Sequence, residues 1–429
     1  MLDFEAVETA ARRRALQVAA RAVEQRLNTD HSDHVGAHLP CIGFGCNGSA
    51  RYAGRRNKVF TSVLGPMCIG RAYYHCASCE TGFCPRDTAL GLSDTSLSPA
   101  VTRMVGLVGS MVSFEEGHEL LHELGGVEVP TKQVERMAEA LGRKIADEEK
   151  LIIEPLPADE PIAPTLYLGM DGTGIPMRAS ELEGRAGKQQ DGSSKTREVK
   201  LCTIWSAEKR DKDGTPMRDE GSVTYSAAIE SAASKDTDTE PSAFAARAMR
   251  EATRRGFDRA PRCAVLGDGA AWIWNVAANH FPGAVQIVDR FHVKQHLSDV
   301  AKAIWGAKSE SYEHWAKTRH DELDAGNIDA VLAALAVHAG GVEEARQCTE
   351  YVTNNRERMK YAEFRAAGLC TSTGVVEAGC KVAIGTRCKR AGMHWTVSGA
   401  DAIIALRCCK LSGRFEGFWE RRAERKAAA

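Results

Sequence analysis

CAVLGDGAAWIWNVAANHFPGAVQIVDRFHV, residues 263–293, reads as strand, helix, strand. CAVLGDG (263–269) is short, apolar and closed by an Asp-Gly turn signal, residues 270–280 carry helical apolar spacing, and AVQIVDRFHV (284–293) is apolar again. A strand, a crossover helix and a second strand predict two parallel neighbours in one sheet.

Upstream, TLYLGMD (165–171), VKLCTIWSA (199–207) and SVTYSAAIES (222–231) are three further short apolar runs bounded by turn signals, followed by a helical stretch at about 241–256. Three strands, a helix, a strand, a helix and a strand is the order of an RNase H-like sheet, with an antiparallel start and βαβ crossovers after it. The expected fold is therefore mixed α/β: an RNase H-like core whose first part spans 165–293. Residues 294–370 are helical without strand candidates and read as an inserted helical domain. The segment 371–429 returns to the core as C-terminal helices, beginning near Thr373 with VVEAGCKVAIGTRCKR.

Phosphoryl transfer by a pair of divalent ions needs carboxylate oxygens converging on Mg²⁺ or Mn²⁺, because hard cations prefer oxygen ligands. Asp171 closes the strand TLYLGMD ahead of the turn Gly172-Thr173-Gly174, and Asp268 closes VLGDGA at a strand-to-helix junction. In the expected strand order these two strands are neighbours, so both acids fall on one sheet edge. Glu377 comes early in the helix near 373, with Cys380 and Lys381 following at i+3 and i+4. Singly, an Asp-Gly after a strand is a turn and a Glu early in a helix compensates the macrodipole; the ordered set of three points to chemistry. Asp289 and His292 end the fifth strand, three residues apart, and read equally as an accessory pair near the metals or as a structural hydrogen-bonded pair.

The N-terminal third is organised differently. Residues 1–35 read as an amphipathic helix and a linker, and residues 36–95 as a zinc-ribbon-like module. Within that module Cys41-x4-Cys46 and Cys76-x2-Cys79 form two close thiol pairs about thirty residues apart, a spacing that suits a structural Zn²⁺, with Cys84, Cys68 and His75 as alternative ligands to Cys46. Arg51, Arg55, Arg56, Lys58 and Arg71 interleave with Tyr52, Tyr73 and Tyr74, a basic and aromatic pattern suited to DNA. Residues 96–150 hold three helical segments (98–112, 114–124 and 130–149) with Gly125-Gly126 before the last, as in a helix-turn-helix or in a plain helical bundle. LIIEPLPADEPIAP (151–164) reads as a linker. Cys380, Cys388, Cys408 and Cys409 read as packed thiols, Trp272 and Trp274 as core anchors, and Trp395 as either a sheet-packing residue or a base-stacking accessory.

With 429 residues and 43% hydrophobic content the chain supports several packed domains. No apolar run reaches the ~18–20 residues of a membrane span, and the charged start is unlike a secretory signal, so a cytoplasmic, nucleoid-associated protein with reduced thiols is expected. Lys+Arg (56) balance Asp+Glu (57), but Lys381–Lys426 carries eleven basic against four acidic residues, a local excess of about +7 suited to phosphates or to a solvated face.

MDGTG (170–174), LGDGAAWIWN (266–275), HFPGAVQIVDRFHV (280–293), GVVEAGCK (374–381) and RCKRAGMHWTVSGADAIIALR (387–407) together resemble the ISKra family of bacterial insertion-sequence transposases, and more distantly other DDE transposases including Mutator-like elements. The cysteine region is similar to that family's amino-terminal part. The resemblance implies a helical insertion between the second Asp and the Glu, a catalytic triad of Asp171, Asp268 and Glu377, and an accessory role for Asp289 and His292; the residue pattern itself adds Lys381 and Trp395 as further accessory candidates. It also implies metal-dependent cleavage at the element's terminal inverted repeats, strand transfer into target DNA, and a homo-oligomer on DNA. The competing readings are an RNase H-like nuclease that cuts without joining and an inactive, transposase-derived DNA-binding regulator.

Overall fold

The computed structural model describes residues 3–153, 155–187, 194–232 and 240–427, and the chain divides into two compact units, 1–142 with 415–429 and 143–414. Residues 188–193 of the charged loop and the side chains of Arg425 and Lys426 lie outside the described residues. Among those described, no helix is long and apolar enough to cross a membrane.

The first unit opens with α1 (Phe4–Thr29), N-capped by Asp3, and a four-stranded antiparallel sheet in the order β1 (His38–Pro40), β2 (Ser49–Ser62), β3 (Gly65–Cys76), β4 (Gly82–Phe83). The N-terminal helix is part of this module and not a lead-in to it. Along β3, Glu24 accepts the Cys68 N–H at 2.6 Å, while Asn28 donates to the Cys68 carbonyl at 2.9 Å and accepts the Gly70 N–H at 2.8 Å. Helix side chains thus satisfy strand groups that would otherwise template pairing with another chain. Asp33, buried just after the helix, accepts the Ala72 N–H and pairs with Arg55 and Arg86.

Four helices follow: α2 (Pro85–Leu90), α3 (Pro99–Met111), α4 (Phe114–Glu123) and α5 (Thr131–Leu151). Ser98 caps α3, and Ser113 with Glu116 forms a reciprocal capping box on α4. A Cβ on Gly109 would stand 2.7 Å from Ala138 Cβ, so the glycine lets α3 and α5 approach closely.

The second unit is built on a five-stranded sheet. Its strands are β5 (Thr165–Pro176), β6 (Thr196–Ser206), β9 (Thr224–Ala228), β10 (Arg262–Gly267) and β11 (Val285–Val288), with a small hairpin of β7 (Lys209–Arg210) and β8 (Pro216–Met217) beside them. The order is β11-β10-β5-β6-β9; β6 is antiparallel to β5 and β9, and β10 runs parallel to β5 and β11. α6 (Ala243–Arg254) and α7 (Ala271–His280) are the crossovers. Two strand ends differ from the sequence expectation. β5 does not stop at Asp171 but runs on to Pro176, because β6 is long enough to pair it throughout. The last strand stops at Val288, because Asp289 accepts the N–H groups of Phe291 and His292 and starts a helix there.

Helices α8 (Arg290–Trp305), α9 (Glu310–Asp324), α10 (Ile328–Ala336), α11 (Glu343–Asn355) and α12 (Tyr361–Ala366) fill the stretch in which no strand was expected. After them, α13 (Gly374–Gly379) passes through a π-helical segment (Cys380–Gly385) into α14 (Thr386–Cys388), followed by α15 (Val397–Leu411). The chain closes with α16 (Phe415–Ala427), which belongs to the first unit and not, as the sequence suggested, with the sheet: Arg103 of α3 grips Glu416 through both carboxylate oxygens at 2.6 and 2.7 Å.

The basic excess of 381–426 is likewise not one face. Arg387 is fully buried, Arg407 donates to the Val382 carbonyl and to Thr386, and Arg414 pairs with Glu149 and the wholly buried Glu251. These three guanidinium groups serve packing within the second unit, which leaves them unable to neutralise phosphate.

Asp401 of α15 accepts the Ile229 N–H at 2.8 Å, and burial pushes its carboxyl up to about 6 against the pull of that N–H and of Arg247. The folded value lies above the ordinary one, so its favourable contribution is present below about pH 4 and is lost as pH rises through about 6. Asp401→Asn is expected to raise stability at pH 7.5 by on the order of 2 kcal/mol and to leave it unchanged at pH 4, checked by thermal unfolding at the two pH values.

Candidate active site and thiol cluster

Register, more than proximity in sequence, brings the acidic residues together. The parallel partners Gly169 and Leu266 lie two residues before Asp171 and Asp268, and the partners Gly267 and Val288 lie one residue before Asp268 and Asp289. The three aspartates therefore occupy one level across β5, β10 and β11, at the strand separation of about 4.8 Å. Their surroundings differ.

Asp171 is half-buried on β5. Burial pushes its carboxyl up, the Gly172 N–H (2.7 Å) and the Cys380 thiol (3.3 Å to Oδ2) pull it down, and the like charge of Asp268 pushes it up again. Asp268 follows the end of β10 and accepts the Ala270 N–H at 2.9 Å, closing a turn into α7. Asp289 is 1% exposed, and its two oxygens are committed: one accepts from Phe291 and His292, the other from the N–H and hydroxyl of Thr373. It is a clasp between α8 and the start of α13, with the His292 backbone rather than its ring as the contact.

Glu377 reaches the site because of a glycine. A Cβ at Gly169 would stand 2.1 Å from Val376 Cγ2 and 2.9 Å from the Trp205 ring, so only glycine lets α13 lie directly across β5 two residues ahead of Asp171. His292, on the first turn of α8, faces Glu377 with Nε2 3.5 Å from Oε1. The carboxylates do not close into a tight cage: among the described residues, only four cysteines form a group of three or more potential ligands within 4.8 Å of one another.

Two accessory candidates fall elsewhere. Lys381 is exposed in the π-helical segment. Trp395 is 6% exposed, its indole N–H donates to the Cys388 carbonyl at 3.0 Å, and its backbone bridges Pro176 and Arg178. A ring held so cannot stack on a base, so Trp395 packs against the end of β5. Two residues went unrecognised in the sequence. Cys380, read there as a packed thiol, is indeed buried but touches Asp171, a placement its i+3 spacing from Glu377 already allowed. Lys389 bonds the Thr173 hydroxyl, and nothing in the sequence pattern pointed to that contact.

In the first unit, Cys41, Cys46, Cys76 and Cys79 present their sulfurs within 4.8 Å of one another, with Cys41–Cys79 at 3.4 Å and Cys46–Cys76 at 3.8 Å. A tetrahedral Zn²⁺ with Zn–S of ~2.3 Å requires sulfur separations of about 3.75 Å, so the set is compatible with zinc. The Gly43 and Gly48 N–H groups donate to Cys41 and Cys46 sulfurs at 3.2 and 3.4 Å, as expected where thiolates need stabilising. The Thr81 hydroxyl and N–H, together with Cys41, draw the Cys79 thiol down to about 6, while Cys41, against the pull of the Gly43 N–H, is pushed up to about 12 by burial and the neighbouring thiols, so the negative charge of the pair settles on Cys79. Cys46 thus joins the cluster despite the four-residue spacing, whereas Cys84 caps α2 and Cys68 pairs across to Val59.

Several of the basic residues noted around the cysteines are already engaged. Arg55 pairs with Asp33, Arg71 pairs with Asp87, and Arg56 stacks 3.4 Å above the Tyr73 ring; Arg51 remains exposed.

No protein-family model matches this sequence, and no curated protein does. Among solved structures, a chain of the Drosophila P element transposase strand transfer complex matches at 10% identity over 75% of this chain and 80% of that one, with a TM-score of 0.25. A likeness of that size defines neither fold nor function.

Two outcomes follow from this geometry. The purified chain is expected to bind one Zn²⁺, and Cys76→Ser to bind none, measured by metal analysis after dialysis. Gly169→Ala is expected to cost about 1–3 kcal/mol in thermal unfolding, because the added methyl must displace Val376.

Proposed function

We propose that this chain is a DNA transposase with an RNase H-like catalytic unit, cutting and joining DNA phosphodiesters with the help of divalent metal ions. The observation that supports this reading is the β5–β10 register, whose partners Gly169 and Leu266 precede Asp171 and Asp268 by two residues, together with the crossing of α13 at Gly169 through Val376, the neighbour of Glu377. The antiparallel β5-β6-β9 start and the parallel β10 and β11 support the fold assignment. So does the resemblance of the stretches around all three acids to ISKra transposases.

The donor set suits Mg²⁺ or Mn²⁺. All three candidate ligands are oxygens on separate elements, and the mutual repulsion of Asp171 and Asp268 is of the kind a divalent cation relieves. When bound, two such ions would activate the attacking water or 3′-hydroxyl and stabilise the departing oxygen. Asp171, Asp268 and Glu377 would hold them, while His292 orients Glu377 by its 3.5 Å contact. A structural Zn²⁺ in the cysteine cluster would fix the N-terminal sheet, and that unit would hold terminal inverted repeats in a homo-oligomer assembled on DNA.

Asp171→Asn, Asp268→Asn and Glu377→Gln are each expected to abolish cleavage of end DNA in Mn²⁺, as seen in gel assays of labelled ends, while leaving DNA binding intact and the melting temperature no lower than that of the wild type. Branched strand-transfer products from the wild type mark a transposase, and hydrolysed ends alone would mark a nuclease. Equal product from Asp268→Asn would defeat the enzyme assignment and leave a DNA-binding regulator.

A further inference from the structure

The inserted helices meet the strand ends of the candidate site through two tyrosines. Tyr351 of α11 donates its hydroxyl to the backbone carbonyl of Asp268 at 2.6 Å, and Tyr361 of α12 donates to the carbonyl of Val288 at 3.0 Å. The first of these contacts falls on a peptide that the sheet does not hold. β10 ends at Gly267, whose carbonyl takes the Asp289 N–H at the end of β11; alternation turns the Asp268 carbonyl to the other side, toward β5, where the next donor along, the Gly172 N–H, goes to the Asp171 carboxylate. Past the end of the ladder, Tyr351 supplies the partner that the Asp268 carbonyl would otherwise lack.

The approach is close. Gly269 has φ +102°, and a Cβ there would stand 2.4 Å from Tyr351 Cε2, so the tyrosine ring occupies the space a side chain would need. The same ring packs at a tilt against His296, centroids 4.6 Å apart, one turn beyond His292. Asp268 is therefore held at two points: its carbonyl by Tyr351, and one carboxylate oxygen by the Ala270 N–H at 2.9 Å. Fixing both ends of so short a side chain fixes the direction in which the remaining carboxylate oxygen is presented.

We propose that Tyr351 is a positioning residue for the divalent-metal site, orienting Asp268 through its backbone carbonyl so that the inserted helical domain sets how tightly the site holds its cation. The inference rests on the reading of Asp268 as a metal-holding carboxylate. Tyr351→Phe keeps the ring against His296 and Gly269 and removes only the hydroxyl. Tyr361→Phe removes a comparable hydroxyl bond one strand further away and controls for general loosening of the insertion.

The test is direct Mn²⁺ binding to the full-length chain, followed by the electron paramagnetic resonance signal of free Mn²⁺, together with the Mn²⁺ dependence of end cleavage. Tyr351→Phe is expected to weaken Mn²⁺ binding about tenfold and to shift the cleavage titration by the same factor, with its maximal rate largely recovered at high Mn²⁺. Tyr361→Phe is expected to bind Mn²⁺ as the wild type does, and Asp268→Asn to lose the site. Wild-type Mn²⁺ affinity in Tyr351→Phe, or an equal weakening in Tyr361→Phe, overturns the positioning role while leaving the metal site standing. Wild-type Mn²⁺ affinity in Asp268→Asn overturns both.

Discussion

The arrangement of the second unit hangs on the buried carboxylate of Asp289. One oxygen caps α8 and the other accepts the N–H and hydroxyl of Thr373, so a single side chain joins the end of β11, the start of the inserted helices and the start of α13. A carboxylate at 1% exposure is costly unless every lone pair is engaged, and here four donors engage it. The consequence is geometric. His292 lies on one of the clasped helices and Glu377 on the other, and their 3.5 Å contact exists because both helix starts are tied to the same residue.

A second constraint is steric. Gly169 removes the side chain that would hold α13 off the sheet, and Val376 settles into the space. Electrostatics at the site then follow from packing: Asp171 is half-buried, beside Asp268 and in contact with Cys380. The first unit is organised by different means. Its small sheet is braced by α1 side chains on β3 and by the ion pairs of Asp33, with the four cysteines at one end.

Much of this was legible in the sequence, and the failures have identifiable causes. The five strands and two crossover helices were readable because apolar runs of strand length alternate with turn residues, and the cysteine spacing announced the thiol cluster. Strand ends were misjudged where a local rule yielded to pairing or capping. Asp171-Gly172 looks like a turn, yet the length of β6 carries β5 through it to Pro176. Asp289 looks like a strand residue, yet its side chain caps a helix. The charge count over 381–426 misled because composition cannot distinguish Arg387 and Arg414, which are spent internally, from arginines open to solvent. Contacts such as Lys389 with Thr173 or Tyr351 with Asp268 join residues far apart in the chain and leave no periodic trace.

The π-helical turn at Cys380–Gly385 sits between the residue that faces His292 and the residue that bonds Thr173. A π turn accommodates one residue more than an α-helical path between the same two points, and each residue of an α-helix advances the azimuth by about 100°. Glu377 faces His292 and Lys389 reaches Thr173 of β5 along a helix that is over-long by that one residue. Spacing, and not only residue identity, is thus under constraint here: winding the same residues as a regular α-helix would turn Lys389 by about 100° relative to Glu377, whereas removing one position from 380–385 would leave a regular helix between the same two ends.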